Sequence, residues 1–440
     1  MNELKGPAAS MAAGPGKVWS MFEFDVVVIG GGSAGMAAAL AARKNGARKV
    51  AIIERDFRLG GILEQCIHTG FGLKRFGEEL SGPEYVTRFT DEILRTDIQV
   101  FLNTTVLVIH AGSRTIETVS KGRTDIFRAG AIVLAMGCRE RTRFQLSIPG
   151  SRPAGVFTAG SAQRFINIQN YRVGNRVVIL GSGDIGMIMA RRMTLEGAKV
   201  EAVVEIMPFL AGLTRNRVQC LDDFGIPLYL GHTITKIHGN ERVTGVTVMK
   251  MDGERRPILG TEFEVECDTV LCSVGLIPEN ELSVKAGLTI DRTTLGVVVD
   301  SSMQTNCPGI FACGNVVHVN DLVDNVSEEG DRAGDFAAAY AAGNMETDDR
   351  IDLHPQQQVR YLVPQMLRKT GMEKSIKIFF RVKQPQRNAV IQVKTIDKVL
   401  WQRKKEYVNP GEMECVELDA AMLRDAGAAD IFVSCTEEER

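Results

Sequence analysis

Residues 25–54 read DVVVIGGGSAGMAAALAARKNGARKVAIIE, and residues 176–205 read RVVILGSGDIGMIMARRMTLEGAKVEAVVE. Each stretch opens with a short run of β-branched residues, which is the signal of a buried strand. A Gly-x-Gly-x-x-Gly motif and an Ala/Met/Leu-rich helical pattern follow, and a second apolar strand closes on a glutamate. The spacing from first glycine to glutamate is the same in both, from 30 to 54 and from 181 to 205. The sequence therefore contains an internal repeat of a strand–helix–strand unit.

The glycines of the repeat have separate roles. In the first copy Gly30 permits the tight turn out of the strand, and Gly32 leaves bare backbone for a pyrophosphate. Gly35 lets the helix pack closely on the strand. The second copy has the same three positions at Gly181, Gly183 and Gly186. The N-terminus of each helix then offers unpaired N–H groups and the positive end of the helix dipole to the phosphates.

Glu54 and Glu205 end the second strand of each copy, where a carboxylate can accept hydrogen bonds from ribose hydroxyls. A single glycine motif can be no more than a glycine-rich turn, but here all the parts recur in order. Two such sites predict two dinucleotides, FAD and NAD(H), because a flavin can accept a hydride from a nicotinamide. Residues 206–208 are Ile, Met and Pro, so no arginine is near to bind a 2′-phosphate, and NADH is favoured over NADPH.

Composition limits the classes of protein that fit. The chain has 440 residues, a formal net charge of −2 and no long run of like charge, which argues against nucleic-acid binding. No apolar stretch reaches the roughly 18 residues that cross a bilayer. The nine cysteines form no CxxC pair and the six histidines form no HExxH motif. We therefore expect no metal site and a reducing, cytoplasmic setting.

Three further segments carry a family resemblance. They are AIVLAMGCRER (131–141), DTVLCSVGLIPENEL (268–282) and TNCPGIFACGNV (305–316). Together with the glycine motifs, these segments resemble the pyridine nucleotide–disulfide oxidoreductase superfamily over residues 22–345. In order, they resemble the family's crossover strand out of the FAD domain, the end of its NAD domain and its second FAD motif. Met136 stands where Thr is usual, and Asn315 replaces an Asp that accepts a hydrogen bond from the flavin ribityl chain. Asn315 can still accept through its carbonyl oxygen, without charge.

The repeat and the resemblance together predict an α/β fold with two nested Rossmann-like, three-layer domains and a small C-terminal β-rich α+β module. The expected order is a disordered lead-in 1–21, FAD-binding part 22–150, NAD-binding domain 151–285, second FAD-binding part 286–345 and C-terminal module 346–440. Residues 98–128 alternate apolar and polar residues, as a β-meander does. Residues 346–359 are polar and predict a linker, and alternating strands follow it.

Residues 324–342 (DNVSEEGDRAGDFAAAYAA) predict an Ala-rich helix with a polar start. In the family such a helix points its N-terminus at the N1/O2 edge of the flavin, where the dipole stabilises the reduced, anionic flavin. The alternative is an ordinary surface helix capped by Asn325 or Ser327.

The motifs and the resemblance give the expected cofactor contacts. Those for FAD are Gly30, Gly32, Ser33, Ala34, Gly35, Glu54, Arg55, Gly61, Ala135, Gly137, Gly314, Asn315 and Ser327. Those for NAD are Gly181, Gly183, Asp184, Ile185, Gly186, Glu205 and Gly275.

Disulfide reductases of this superfamily have two cysteines shortly after the ribose-binding acid, or a CxxC in the NAD domain, and this chain has neither. Cys66 alone lies near the place where single-cysteine NADH oxidases and peroxidases have their redox thiol. A Cys66 thiolate at a helix start can cycle through a sulfenic acid, with His68 as an acid/base group. The alternative is that Cys66 packs as a small apolar residue and His68 is a hydrogen-bonded structural residue.

Shorter segments resemble particular flavoprotein subunits. Residues 155–167 (GVFTAGSAQRFIN) are similar to a segment of the sarcosine oxidase α, opine oxidase and hydrogen cyanide synthase group. Residues 59–72 and 82–89 are similar to flavoproteins that accompany anaerobic glycerol-3-phosphate dehydrogenase-like proteins. The resemblance implies a subunit of a multi-subunit dehydrogenase, with a small-molecule or protein electron acceptor and a partner subunit or homo-oligomer.

Three functions stay open at this level. The first is an FAD-dependent NAD(H) oxidoreductase that exchanges electrons with an external acceptor, donor or partner subunit. The second is a single-cysteine NADH oxidase or peroxidase that uses Cys66. The third is a non-catalytic flavoprotein subunit. The cluster Arg139, Arg141 and Arg143 is a candidate anion site, but a solvated interdomain loop directly after the crossover strand is the favoured explanation.

Overall fold

The computed structural model describes residues 20–345, 350–368, 375–419, 421–423 and 430–437. The chain divides into two compact units. The first contains Met1–Cys138, Pro278–Asn409 and Met413–Arg440, and the second contains Arg139–Ile277 and Pro410–Glu412. The limits of the second unit at 139 and 277 differ from the predicted domain boundaries at 150 and 285, which stay a prediction. Most of the predicted lead-in lies outside the described residues, but Ser20 and Met21 already belong to the first strand.

The first unit begins with the predicted strand–helix–strand unit and continues into an antiparallel meander. Its strands are β1 Ser20–Ile29, β2 Val50–Ile53, β3 Thr69–Phe71, β4 Leu80–Ser81, β5 Gln99–Phe101, β6 Thr105–His110, β7 Thr115–Ser120 and β8 Arg123–Leu134. Its helices are α1 Ser33–Lys44, α2 Leu73–Phe76 and α3 Gly82–Leu94, and Gly61–Gln65 is a 3-10 helix. The main sheet has the order β5-β2-β1-β8-β7-β6. Because β1 lies at its centre, Val26, Val27 and Val28 are fully buried.

The second unit contains the other glycine motif. Its strands are β9 Cys138–Glu140, β10 Val156–Thr158, β11 Arg176–Leu180, β12 Lys199–Glu205, β13 Leu228–Leu230, β14 His232–His238, β15 Gly245–Lys250, β16 Phe263–Glu266, β17 Thr269–Cys272 and β18 Leu276–Pro278. The first residue of β9 and the last residue of β18 belong to the first unit. Its helices are α4 Arg143–Leu146, α5 Ala159–Asn167, α6 Asp184–Leu195 and α7 Thr214–Cys220, with a 3-10 helix at Asp222–Phe224. The parallel sheet has the order β10-β17-β11-β12-β13.

Three layers form in the second unit because β11 is apolar on both faces. Val177 and Ile179 pack into one core with Met187 of α6. Val178 and Leu180 point to the opposite face and join a second core with residues of β14 and β15. Because successive side chains of β11 point to opposite faces, the parallel sheet is the middle layer. Helices cover one of its faces, and the antiparallel sheet β14-β15-β16 covers the other.

The chain then returns to the first unit through α8 Glu281–Lys285, β19 Ile310–Ala312 and α9 Val323–Ala341. β19 pairs in parallel with β8. Helices α1 and α9 pack closely because α9 has glycines at the crossing. A Cβ on Gly330 would lie 2.3 Å from the carbonyl oxygen of Ala34, and one on Gly334 would lie 2.1 Å from that of Ala38.

The C-terminal module is β-rich, as expected. Its strands are β20 Arg350–Gln357, β21 Val359–Val363, β22 Met366–Arg368, β23 Ile376–Val382, β24 Gln386–Lys394, β25 Val399–Val408, β26 Glu414–Leu418 and β27 Ile431–Glu437. They form sheets of order β22-β20-β27-β24-β25 and β21-β23-β26 around a core of their own. The linker predicted over 346–359 is wrong in its described part, because 350–357 form β20 with Ile351 and Leu353 buried.

A buried carboxylate ties the module to the rest of the first unit. Asp300 accepts hydrogen bonds from the backbone N–H and the hydroxyl of Ser302, at 2.9 and 2.6 Å, and from the N–H of Gln304 at 3.1 Å. Arg350 and Arg368 of β20 and β22 lie 3.1 and 3.7 Å from its other oxygen. One fully buried side chain therefore joins the turn after residue 299 to two strands of the module.

Across the described ranges, no helix is both long enough and apolar enough to cross a membrane.

Candidate dinucleotide-binding sites

The first glycine motif has two glycines that the fold requires and one that it does not. Gly30 has φ +106°, and a Cβ there would lie 2.3 Å from the carbonyl oxygen of Ala135. A Cβ on Gly35 would lie 1.9 Å from the carbonyl oxygen of Gly30. A Cβ on Gly32 would meet no atom within 4 Å. Gly32 precedes α1 directly. Open backbone at a helix N-terminus fits the pyrophosphate of a dinucleotide.

The second motif repeats this geometry. Gly181 has φ +103°, and a Cβ there would lie 2.0 Å from the carbonyl oxygen of Ser273. A Cβ on Gly186 would lie 2.7 Å from the carbonyl oxygen of Gly181. The nearest neighbour of a Cβ on Gly183 is 3.9 Å away, and α6 begins at the next residue. The space over Gly183 therefore fits a second pyrophosphate.

Glu54 is fixed at the end of β2 by the backbone. Its Oε2 accepts the N–H of Gly31 at 2.6 Å, and its Oε1 accepts the N–H of Asp56 at 2.8 Å. The carboxylate is buried, and each oxygen keeps a second lone pair. It can therefore still accept a ribose hydroxyl, as the sequence predicts.

Glu205 is held in the same way at the end of β12. Its Oε2 accepts the N–H and the hydroxyl of Ser182, both at 2.8 Å, and its Oε1 accepts the N–H of Met207 at 2.9 Å. The Ser182 hydroxyl oxygen also accepts the N–H of Ala211 at 3.0 Å. The loop after β12 consequently lies against the glycine motif.

Asp184 is the first residue of α6 and is engaged by the same loop. Its Oδ1 accepts the N–H of Leu213 at 2.8 Å and the side-chain amide of Asn216 at 2.6 Å. Ile185 beside it is half-buried, and Gly275 has φ +96° with open space at its Cα. One oxygen of Asp184 thus holds the loop, an arrangement that sequence spacing does not reveal.

Other predicted FAD contacts meet around Gly32. Gly61 has φ +57°, and a Cβ there would lie 3.3 Å from Cα of Gly32. Gly314 has φ +73°, and a Cβ there would lie 2.9 Å from the Cβ of Ala34. The first and second FAD motifs are therefore in direct contact. Of the remaining positions, Ser33 and Ala135 are buried, Gly137 has φ +72° with open space around it, and Arg55 is exposed.

Asn315 and Ser327 have hydrogen-bonding partners within the protein. The Asn315 Oδ1 accepts the N–H of Asn320 at 3.0 Å, and its Nδ2 lies 3.5 Å from the sulfur of Cys138. The hydroxyl of Ser327 is fully buried and lies 2.8 Å from the hydroxyl of Tyr85. Asn315 keeps one acceptor lone pair for a ligand.

The alternative interpretation of helix α9 is wrong in its detail. Its N-cap is Leu322, whose side chain makes no capping hydrogen bond, and Val323 is its first residue. Asn325 and Ser327 lie inside the helix and do not cap it. The N–H groups at the start of α9 are therefore not capped by a side chain, which is compatible with contact to a flavin.

Sequence reasoning missed a buried polar group behind the second FAD motif. His318 and Glu329 are almost completely buried, and His318 Nε2 lies 2.7 Å from Glu329 Oε1. The other oxygen, Oε2, accepts the N–H of Gly314 at 2.7 Å. No sequence motif links a histidine three residues after Asn315 to a glutamate inside α9, so only the fold shows the contact.

Cys66 follows the 3-10 helix 61–65 and so lies at a helix end, not at the helix start that the redox hypothesis assumed. Its thiol donates to the carbonyl oxygen of Ile62 at 3.3 Å. Burial raises the pKa of the Cys66 thiol to about 12. The half-buried ring of His68 stacks on Phe71, with 5.0 Å between centroids. These features favour packing over thiolate chemistry.

We expect Cys66→Ser to keep NADH-dependent turnover with oxygen or peroxide within about twofold of wild type. With its pKa raised by burial to about 12, the Cys66 thiol is almost entirely protonated at pH 7. Since the raised pKa keeps the thiol protonated, alkylation of Cys66 should stay slow through neutral pH and accelerate only in strong alkali. Steady-state assays and mass-spectrometric alkylation rates measure both. A tenfold loss of peroxide turnover in the serine variant would restore the redox role.

Arg143 of the arginine cluster has a structural role. Its Nη2 lies 3.4, 3.5 and 3.3 Å from the carbonyl oxygens of Ile148, Pro149 and Gly150. A guanidinium that satisfies backbone carbonyls supports the loop interpretation.

One group of acidic and histidine side chains lies close enough together to be compared with a metal site. In the part of the chain that the structure describes, Asp352, His354 and Asp430 have ligand atoms within 4.8 Å of one another. His354 Nε2 lies 3.2 Å from Asp430, so a direct contact between these two side chains accounts for their proximity without a metal ion. The absence of a metal site stays a prediction.

Comparison with known proteins agrees with this geometry. The family model described as pyridine nucleotide-disulphide oxidoreductase matches residues 24–334. The chain is 26% identical over 332 residues to an NAD(P)H coenzyme A polysulfide/persulfide reductase of Pyrococcus horikoshii, an alignment covering 72% of this chain and 69% of the relative. It is 31% identical over 288 residues to hydrogen cyanide synthase subunit HcnB of Pseudomonas aeruginosa, covering 60% of this chain and 59% of that one.

Among solved structures, T. acidophilum thioredoxin reductase is similar with a TM-score of 0.61 and 26% identity, covering 73% of this chain and 99% of the other. The match to the family model includes both glycine motifs and the second FAD motif. The chain therefore belongs to the pyridine nucleotide-disulphide oxidoreductase family and is an FAD-dependent pyridine nucleotide oxidoreductase that uses FAD and NAD(P)H.

Proposed function

We propose that this chain couples NADH to FAD and exchanges electrons with an external acceptor, donor or partner subunit, as one component of a multi-subunit dehydrogenase. The observation that carries the proposal is the completeness of the second glycine motif, with open space over Gly183 and a fixed Glu205. When bound, a nicotinamide supplies a hydride that a flavin accepts.

The residues of the chain bind and orient the two cofactors. Gly32 and Gly183 leave room for the pyrophosphates at the starts of α1 and α6. Glu54 and Glu205 accept hydrogen bonds from the ribose hydroxyls. With FAD bound, the start of α9 would favour negative charge on the flavin through the helix dipole, and the carboxylate of Asp324 in the first turn would oppose this effect.

The preference for NADH is supported by Glu205. A 2′-phosphate in its place would bring like charges to about 4 Å, which costs roughly 1–4 kcal/mol near a protein surface. The residues that follow, Ile206 to Pro208, offer no cation in compensation. We expect a preference for NADH of about tenfold or more.

The proposal of an external redox partner rests on the lack of a redox-active cysteine in this chain and on its similarity to subunits of larger enzymes. The chain lacks the family's cysteine pair, and the thiol of Cys66 is protonated at neutral pH. Two similar proteins, HcnB of hydrogen cyanide synthase and one of the subunits of opine oxidase, are named as parts of larger enzymes. Cysteine usage, with an odd number and no CxxC pair, supports a cytoplasmic setting.

An anaerobic titration tests the proposal. NADH should bleach the visible flavin band of the FAD-loaded protein, and NADPH should do so only at about tenfold higher concentration. Gly183→Ala, which should bind NADH weakly, is the matched control. If FAD stays bound but NADH bleaches nothing, and partner subunits copurify, the chain is instead a non-catalytic flavoprotein subunit.

A further inference from the structure

The pair His318–Glu329 is buried in the first unit and belongs to neither glycine motif. The His318 side chain is 1% exposed and that of Glu329 is 6% exposed. Burying two ionisable groups is unfavourable unless each is paired and hydrogen-bonded. The pair therefore needs a structural explanation that ordinary core packing does not supply.

The carboxylate of Glu329 holds both ends of the turn that carries the second FAD motif. Its Oε2 accepts the N–H of Gly314 at 2.7 Å. Its Oε1 contacts His318 Nε2 at 2.7 Å and accepts the side-chain amide of Asn320 at 3.3 Å. The backbone N–H of Asn320 donates in turn to the Asn315 Oδ1 at 3.0 Å. The Glu329 side chain thus contacts residues 314, 318 and 320, and it reaches Asn315 through Asn320.

The position of Glu329 is itself fixed by the packing of α9. The next residue, Gly330, lies so close to α1 that a Cβ there would be 2.3 Å from the carbonyl oxygen of Ala34. A Cβ on Gly314 would likewise lie 2.9 Å from the Cβ of Ala34. Glu329 therefore cannot shift without disturbing the contact between the two FAD motifs.

Aromatic residues of the C-terminal module cover the pair. The ring of Phe379 in β23 lies 5.7 Å from that of His318, and the ring of Tyr361 in β21 lies 6.4 Å from it. From the same face of β23, Arg381 pairs with Asp321. These contacts all fall on the segment between the second FAD motif and α9.

We propose that His318 and Glu329 are positioning residues for FAD, which hold Gly314 and Asn315 in the flavin-binding conformation while the C-terminal module keeps the pair out of water. The inference rests on FAD binding over Gly32. It goes beyond the proposed function by making the module a part of the flavin site.

The test is Glu329→Gln, because an amide keeps only one of the two acceptor oxygens. We expect the Kd for FAD to rise about tenfold and the visible circular dichroism of bound FAD to change. His318→Gln keeps a donor for Glu329, so it should stay within about twofold of wild type, whereas His318→Ala should resemble Glu329→Gln. Fluorescence titration of the apoprotein measures the Kd without any activity assay.

Asp125→Ala is the control for general destabilisation, since it removes another buried carboxylate of the same unit, near the start of β8. It should leave the Kd for FAD within about twofold. Unchanged FAD affinity and spectrum in both Glu329→Gln and His318→Ala would overturn the inference, even with lower stability. Gly32→Ala distinguishes a failure of this inference from a failure of the proposed FAD site. If Gly32→Ala binds FAD normally, FAD does not bind over Gly32.

Discussion

Gly183→Ala is expected to weaken NADH binding by about 10- to 100-fold while FAD stays bound, and Gly32→Ala is expected to weaken FAD binding by the same factor. A Cβ on Gly32 would meet no atom within 4 Å, and one on Gly183 would meet Ser273 only at an ordinary van der Waals distance of 3.9 Å, so the fold tolerates both substitutions. The new methyl group would instead occupy the space of a pyrophosphate. Overpacking of this size costs about 1–3 kcal/mol, which corresponds to that loss of affinity.

Two other glycines provide matched controls for these substitutions. A Cβ on Gly112 in the first unit, or on Gly253 in the second, also meets no atom within 4 Å. Gly112→Ala and Gly253→Ala should bind both cofactors as wild type does. Binding is measured by FAD fluorescence and by NADH titration of each purified variant. If Gly183→Ala binds NADH normally, the second motif does not hold the pyrophosphate.

Asp300→Ala is expected to lower the free energy of unfolding by about 3–5 kcal/mol. The substitution leaves the N–H groups of Ser302 and Gln304 without their acceptor and removes the counter-charge of Arg368, which is 5% exposed. Losing one partner of a buried charge pair has an effect of this size. Denaturant unfolding of the apoprotein measures the change.

The control for Asp300→Ala is Asp352→Ala, an exposed carboxylate on β20 of the same module. Surface substitutions of this kind usually change stability by less than about 0.5 kcal/mol. If the two substitutions change the free energy of unfolding equally, the Asp300 contacts stabilise the fold no more than an exposed carboxylate does.

The features predicted correctly from the sequence are those that depend on neighbouring residues. The glycine motif, the helix after it and the glutamate that closes β2 or β12 all lie within one strand–helix–strand unit, so spacing alone predicts them. The fold and the cofactors followed from two such units. The geometry around Gly32 and Gly183 then agrees with the separate roles that the motif gives to its glycines.

The features that were missed depend on contacts between distant residues. The linker predicted over 346–359 is wrong because polar side chains on one face of β20 mask the buried Ile351 and Leu353 on the other. The bond from Gly314 to Glu329 joins a turn to a helix, and no local pattern marks it. The protonated state of Cys66 depends on burial that composition does not show.

The pairing of β8 with β19 has a consequence for how the chain folds as it is made. β8 ends at Leu134 and its partner begins at Ile310, so residues 139–277, nearly all of the second unit, are synthesised between them. At usual rates of translation the edge of β8 stays unpaired for on the order of tens of seconds. An apolar, unpaired strand edge is a template for aggregation. The nascent chain therefore leaves the edge of β8 at residues 132–134 without its partner strand until β19 emerges, while residues 139–277 can already form contacts with one another.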